Sequence, residues 1–246
     1  MQKLLQLKLH GMRHALLEQA QSSQYGDLSF EERLGLLIDR ECTRRENARL
    51  QRNVKAADFQ FNACMEDVRF SAARNLDRKS VLSLAECDWI RNRLNILVTG
   101  STGSGKTYLA CALGQVACRQ GFTVRYLRLS RLFTEFTLAQ ADGSYPKLLD
   151  SLAKANLLIF DDWLRDSLTT AQARDILEVL DDRYNKKSTI VVSQVKVEGW
   201  HERIPDPTIA DAILDRLVHN AHRLKLKGES QRKLNSPIAQ IDEDKV

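Results

Sequence analysis

The sequence predicts an α/β fold: a parallel sheet covered by helices, preceded by a small all-helical domain. Three observations carry this. Residues 1–80 contain no convincing strand, and from Leu94 onward short apolar runs alternate with capped, helix-periodic segments. The first of those runs leads through a glycine-rich turn directly into a helix. Of 246 residues, 43% are hydrophobic and 28% charged, a globular balance that excludes a largely disordered chain, and 11 Gly with 4 Pro exclude a collagenous one. No apolar run approaches the roughly 18–20 residues of a membrane span. Charges interrupt MQKLLQLKLHGMRH, so no signal-peptide core is read and a cytoplasmic location without membrane association is expected. The five cysteines are scattered, odd in number and without C-x-x-C, which argues for reduced thiols rather than a disulfide framework or zinc cluster. The net charge of +5 permits a nucleic-acid partner without demonstrating one.

In chain order, Leu4, Leu5, Leu7, Met12, Leu16 and Leu17 suggest one helix, broken at Tyr25-Gly26-Asp27. Ser29 with Glu32 forms a capping box that opens a second helix to about Val54. Phe59, Phe61, Met65, Val68 and Phe70 suggest a further short segment. The helical domain is placed at 1–70, a connector at 71–93, the α/β domain at 94–233 and a polar tail at 234–246. Strands are expected at 94–99, 122–129, 156–160, 188–193 and 222–227. Between them, helices are expected from about Lys106 to Arg119, after a Ser130 cap, from Pro146 to Ala155, from the Thr169/Gln172 capping box to about Tyr184, and from Pro207.

The segment Gly100-Ser101-Thr102-Gly103-Ser104-Gly105-Lys106-Thr107 matches G-x-x-x-x-G-K-[ST] in full, after a strand and before a helix, as a phosphate-binding loop requires. Its glycines let backbone N–H groups face one concavity, and the helix adds its positive end. Lys106 would reach the β- and γ-phosphates of ATP, the Thr107 hydroxyl would ligate Mg²⁺, and Tyr108 continues the ATP-contacting run. Such a loop needs a metal-holding carboxylate on a nearby strand. LLIFDD supplies Asp161 for Mg²⁺ and Asp162 to orient or deprotonate the attacking water; an acidic helix cap is the alternative reading. The helix–strand–helix unit between the two motifs leaves room for an extra strand between their strands, as in hydrolytic motor ATPases. Ser193-Gln194 ends its strand with polar groups that either touch the γ-phosphate or lytic water, or simply make a turn. The stretch 216–233 carries six Lys/Arg against one acid, and an exposed arginine there either completes a neighbouring subunit's site or belongs to a solvated basic face.

GSTGSGKT, LLIFDDW, STIVVSQ, DPTIADAILDRLVHNAHR and LKGESQRK, in this order and spacing, resemble the IstB-type transposition helper ATPases, AAA+ proteins of the DnaC-like branch. The similarity runs from about Leu9 to Lys233, and DPTIADAILDRLVHNAHR is its most specific part. The resemblance implies an AAA+ P-loop NTPase domain and an ATP- and Mg²⁺-dependent ATPase. It further implies a homo-oligomeric ring or spiral on duplex DNA that assists an integrase-type transposase in insertion-sequence transposition. By motif, Lys106 and Thr107 are the phosphate-loop residues and Asp161 and Asp162 the Walker-B pair. Gln194 with Ser193 fills the sensor-1 place, Arg216 the arginine-finger place, and Arg232 the ATP-contacting sensor-2 place. Leu164 stands where the family usually has glycine, and Gln194 where AAA+ proteins usually have Asn. The family's inner ring surface suggests Arg128, Arg131 and Lys147 as DNA phosphate contacts, against the alternative of ordinary surface cations. A DnaC-like replicative helicase loader shares these motifs. A small-molecule P-loop kinase is disfavoured because no separate lid or acceptor pocket can be read.

Overall fold

The computed structural model describes residues 1–71 and 74–228. They form two compact units, 1–52 and 53 onward. The expected helical domain reached residue 70, whereas the division falls between Arg52 and Asn53, so Phe59–Phe70 lies with the second unit. The reason is packing: Phe59 Cε1 would be only 2.6 Å from a Cβ on Gly114, and the Phe61 ring centroid lies 6.3 Å from that of Tyr108.

The first unit begins with α1 (Gln2–Gln6) and α2 (His10–Gln21), where one continuous helix was expected, and α3 (Phe30–Ala57) follows. The break falls at Lys8, whose φ is +57°. Glu41 on α3 explains it, because its Oε2 accepts the backbone N–H groups of Gly11 at 2.6 Å and Met12 at 3.3 Å. A new helix N-terminus is thereby capped by a carboxylate, which satisfies otherwise orphaned donors and suits the positive end of the helix. Arg44 and Arg45 each reach Glu41 Oε1 at 2.7 Å. The Arg44 hydrogen bond, opposed by burial and helped by Arg45 and the two amides, holds the Glu41 carboxyl down at about 2. The Ser29/Glu32 capping box is present in both directions, at 2.8 and 3.2 Å.

The second unit is built on a five-stranded, all-parallel sheet of β1 (Asn95–Gly100), β2 (Val124–Arg128), β3 (Leu157–Asp161), β4 (Ser188–Ser193) and β5 (Ala221–Leu226), in the order β2-β3-β4-β1-β5. Strand β4 therefore lies between the phosphate-loop strand β1 and the acidic strand β3, the inserted strand expected from the motif spacing. β3 and β4 are buried throughout and β1 nearly so, whereas β5 exposes His222, Arg223 and Lys225. Charged side chains on that edge oppose pairing with another strand. Alternation along the strands serves two helix layers. Leu97, Leu158, Phe160 and Val191 join a core with α7 (Leu129–Asp142), α8 (Tyr145–Lys154), α9 (Thr170–Arg183) and α10 (Pro207–Val218). Ile159, of opposite parity, faces α6 (Lys106–Arg119), where its Cδ1 would lie 2.9 Å from a Cβ on Gly114.

Two expectations need correction. Ser130 does not cap α7: the helix starts two residues earlier than a Ser130 cap implies, with Arg128 at the cap position and no side-chain cap bond, because β2 turns into the helix without a linker. The 71–93 connector is partly structured, with α4 (Arg78–Ala85) and α5 (Asp88–Arg91) burying Val81, Leu84, Trp89 and Ile90. The Thr169/Gln172 capping box and Pro in the first turn of α8 and α10 agree with the sequence reading. Among the described residues, no helix is long and apolar enough to cross a membrane.

Candidate nucleotide-binding site

All five strands run the same way, so Gly100, Arg128, Asp161 and Ser193 arrive at one edge of the sheet, at the carboxyl ends of β1 to β4. Parallel α/β sheets place their ligand sites there. The loop after β1 packs so closely on the neighbouring strand that a Cβ on Gly100 would lie 2.4 Å from the Leu226 carbonyl. Gly105, at φ +89°, takes the left-handed conformation that starts α6. The unpaired backbone donors of a helix start suit an anion. Ser104 is fully buried with no hydrogen-bond partner for its Oγ. Lys106 Nζ donates to the Ser101 carbonyl at 2.8 Å, across the loop.

The loop borders a cavity of about 820 Å³, large enough for a nucleotide. Thr102, Gly103, Gly105, Lys106, Thr107 and Tyr108 line it on the loop side. Asp161, Asp162 and Gln194 line it from the strand ends. Thr107 Oγ1 donates to Asp161 Oδ1 at 3.2 Å, so the two expected metal-holding oxygens are already neighbours. Asp161 is 3% exposed, and its Oδ1 also accepts the Asp162 amide at 2.9 Å. A hydroxyl beside one carboxylate is a hard oxygen set that suits Mg²⁺ carried on nucleotide phosphates. The described residues include no group of three or more His, Cys, Asp or Glu able to form an all-protein cage, so phosphate oxygens would supply the remaining ligands.

Asp162 has a φ of +57°. Its Oδ2 stands between Arg128 Nε at 3.6 Å and Arg165 Nη1 at 3.5 Å. Arg128, expected as a DNA contact, lines this nucleotide cavity, because the β2–β3 register sets it opposite Asp161. Arg131 and Lys147 are exposed. Gln194 Oε1 accepts the Thr102 hydroxyl at 2.6 Å, tying the end of β4 to the loop. Ser193 does not share that role: it is buried, and its hydroxyl donates to the Trp163 carbonyl at 2.7 Å and accepts the Val195 amide at 3.1 Å. Leu164 keeps a glycine-like backbone at φ +49° while fully buried, so the turn after Asp-Asp-Trp survives without glycine.

Arg216 does not line this cavity. Its guanidinium pairs with Asp181, donates to the Ala212 carbonyl at 2.8 Å and lies 5.8 Å from the Tyr184 ring centroid. Arg232 and the 234–246 tail lie outside the described residues.

Several cavity residues had no signal in the sequence. Arg74 is buried, donates to Arg69's carbonyl and, at 2.8 Å, to the Ser104 carbonyl of the loop. Burial, and then the charge of Arg69, pull its pKa down. Phe61, Asp67, Val68 and Arg69 line the same cavity. The apolar residues of 59–70 suggest only a short segment and no ligand chemistry, so only the tertiary path brings these residues to the loop.

The family described as IstB-like ATP binding protein matches residues 2–239. The chain belongs to this family. An insertion-sequence ATP-binding protein of Sinorhizobium fredii is 45% identical over 231 residues, which cover 94% of each chain. Solved structures share the fold at low identity. AMPPCP-bound DnaA from Aquifex aeolicus has a TM-score of 0.59 at 17% identity, covering 72% of this chain and 54% of its own. The DnaC helicase loader has a TM-score of 0.56 at 19% identity, covering 68% and 98%. The parallel sheet covered by helices has the fold of these two structures, and the IstB-type resemblance read from the motifs holds.

Proposed function

We propose that this chain is an ATP-hydrolysing helper of an integrase-type transposase, assembling as a homo-oligomer on duplex DNA during insertion-sequence transposition. The observation that carries the ATPase reading is Asp162, one residue beyond the Thr107–Asp161 pair and facing the same cavity. Lys106 and the loop amides bind and orient the phosphates. Asp161 and Thr107 hold Mg²⁺, which supplies charge neutralisation when bound. Asp162 accepts a proton from, or orients, the attacking water. Gln194, fastened to Thr102 of the loop, lines the cavity and suits a γ-phosphate or water contact.

The insertion-sequence names of relatives such as the Sinorhizobium fredii protein favour a transposition role over helicase loading. Assembly is supported by Arg216: it lies outside its own cavity, so in the arginine-finger place it would serve the neighbouring subunit's nucleotide. To do so it must exchange Asp181 for phosphate, a swap that ATP favours and ADP does not. Exposed Arg131 and Lys147 remain the proposed DNA contacts, and Arg232 the proposed sensor-2 contact. A few such cations per subunit bind DNA weakly, but an assembly sums them along the backbone.

The test measures duplex DNA binding and particle mass with ATP, with ADP and with no nucleotide, for wild type and Arg216→Ala. ATP should give large, salt-sensitive DNA complexes in wild type. Arg216→Ala should bind ATP yet fail to hydrolyse it or to assemble. Tight DNA binding by an ATP-free monomer would refute the assembly model.

A further inference from the structure

Behind the cavity, its lining residue Asp161 makes a polar contact that the phosphate-loop chemistry above does not use. The Tyr126 hydroxyl lies 2.6 Å from Asp161 Oδ2 and also 2.6 Å from Gln60 Oε1. A phenol has one proton, so only one of these oxygens can accept it. The carboxylate is the stronger acceptor, and the Gln60 amide then turns its NH₂ group toward the phenol oxygen, an orientation set by the network. A tyrosine phenol is a hydrogen-bond donor at neutral pH, so Tyr126 is able to donate to the carboxylate.

The arrangement around Asp161 is then complete. Oδ1 takes the Asp162 amide at 2.9 Å and the Thr107 hydroxyl at 3.2 Å, while Oδ2 takes the Tyr126 hydroxyl. Any rotation of this carboxylate short of a half-turn, which merely exchanges its equivalent oxygens, would break at least one bond. Tyr126 reaches it because β2 and β3 pair in register, with Tyr126 opposite Ile159 and Arg128 opposite Asp161. Alternation puts Tyr126 and Arg128 on the same face, so one residue meets Asp161 and the other Asp162. Gln60 comes from the irregular segment that also supplies cavity residues Phe61, Asp67 and Arg69.

We propose that Tyr126 is a positioning residue for the metal site: its hydroxyl, backed by Gln60, locks the Asp161 carboxylate so that Oδ1 faces Thr107. This rests on the Mg²⁺·ATP reading above. Hydrogen bonds of this kind orient a ligand and cost metal affinity when removed. Tyr126 does not line the nucleotide cavity; it acts through Asp161. A competing picture has the opposite sign: if the hydroxyl merely occupies an oxygen that the metal needs, deleting it should tighten metal binding.

Tyr126→Phe removes one oxygen and keeps the ring. The full-length protein would be titrated with Mg²⁺ at a fixed low concentration of N-methylanthraniloyl-ATP, and nucleotide affinity would be measured separately in EDTA. The half-saturating Mg²⁺ concentration should rise about 10-fold, the lower end for loss of such a contact, because Asp161 keeps two other donors. Affinity in EDTA should change less than about twofold, since no phosphate contact is lost. Gln60→Leu should shift the Mg²⁺ midpoint in the same direction by less. A Tyr126→Phe titration that superimposes on wild type, or moves to lower Mg²⁺, overturns the proposal. An equal loss of affinity in EDTA overturns it too, since that marks a packing role. Wild-type affinity identical in Mg²⁺ and EDTA overturns the metal reading of the site and this proposal with it. A normal wild-type response with an unshifted Tyr126→Phe overturns this proposal alone.

Discussion

Leu164 offers a direct contest between backbone strain and burial, immediately beyond Asp161 and Asp162. It is fully buried in the core shared by Phe160, Trp163, Ile176 and Trp200, yet its φ is +49°. The left-handed conformation costs a non-glycine residue about 1–2 kcal/mol. Burying a leucine contributes about 1.5–3 kcal/mol in transfer terms, and truncation to alanine typically costs about 2–5 kcal/mol once the cavity is included. Burial wins, so Leu164→Gly should destabilise by about 2–4 kcal/mol even though it relieves the strain. Leu164→Ala loses nearly the same packing and keeps the strain. The glycine variant should therefore be the more stable of the two by about 1 kcal/mol, the reverse of the order expected where φ is negative. Urea unfolding followed by tryptophan fluorescence suits the test, because Trp163 and Trp200 have ring centroids 5.8 Å apart within this core. Equal slopes with different midpoints would report stability alone. If Leu164→Ala proves more stable than Leu164→Gly, strain at this position is not what the backbone angle implies. If Leu164→Gly exceeds wild type, burial has been overvalued.

Two further expectations concern catalysis and pH. Asp162→Asn keeps the shape but removes the acceptor charge, so ATP binding should persist while single-turnover hydrolysis falls by about 10²–10⁴-fold; turnover at the wild-type rate would remove Asp162 from the mechanism. The Glu41 carboxyl, held at about 2 chiefly by Arg44, binds fewer protons in the folded than in the unfolded chain between about pH 4.5 and 2. Its contribution is therefore fully present above pH 4.5 and is lost as pH falls through that window. Discounted for the solvent exposure of Arg44 and Arg45, it amounts to about 2 kcal/mol. Glu41→Gln should speed amide exchange in α2 roughly 30-fold at neutral pH by local opening, with the difference from wild type fading toward pH 2. Unchanged α2 protection would refute the capping role.

The elements that were legible in the sequence are those whose cause is local. The phosphate loop, the Thr169 capping box and the apolar run ending in Asp161 each carry their reason within a few residues, and each stands where it was read. What escaped depends on partners distant in the chain. The first helix splits because Glu41, 30 residues away, caps its second half at Gly11. Nothing local in residues 71–74 announces that Arg74 grips the loop at Ser104, within a stretch read as part of the 71–93 connector.

Strand parity is the subtler case. The family resemblance groups Arg128 with Arg131 and Lys147 as DNA contacts, but in a parallel strand, facing depends on the residue opposite, and register is invisible before the partner is known. Once β2 is set against β3, Tyr126 and Arg128 must share a face, and Asp161 and Asp162 lie at its end. The same logic separates Ser193 from Gln194: adjacent on a strand end, one turns into the core toward Trp163 and the other out to Thr102. A motif thus identifies which residues carry phosphate chemistry, whereas the sheet decides which of their neighbours support it.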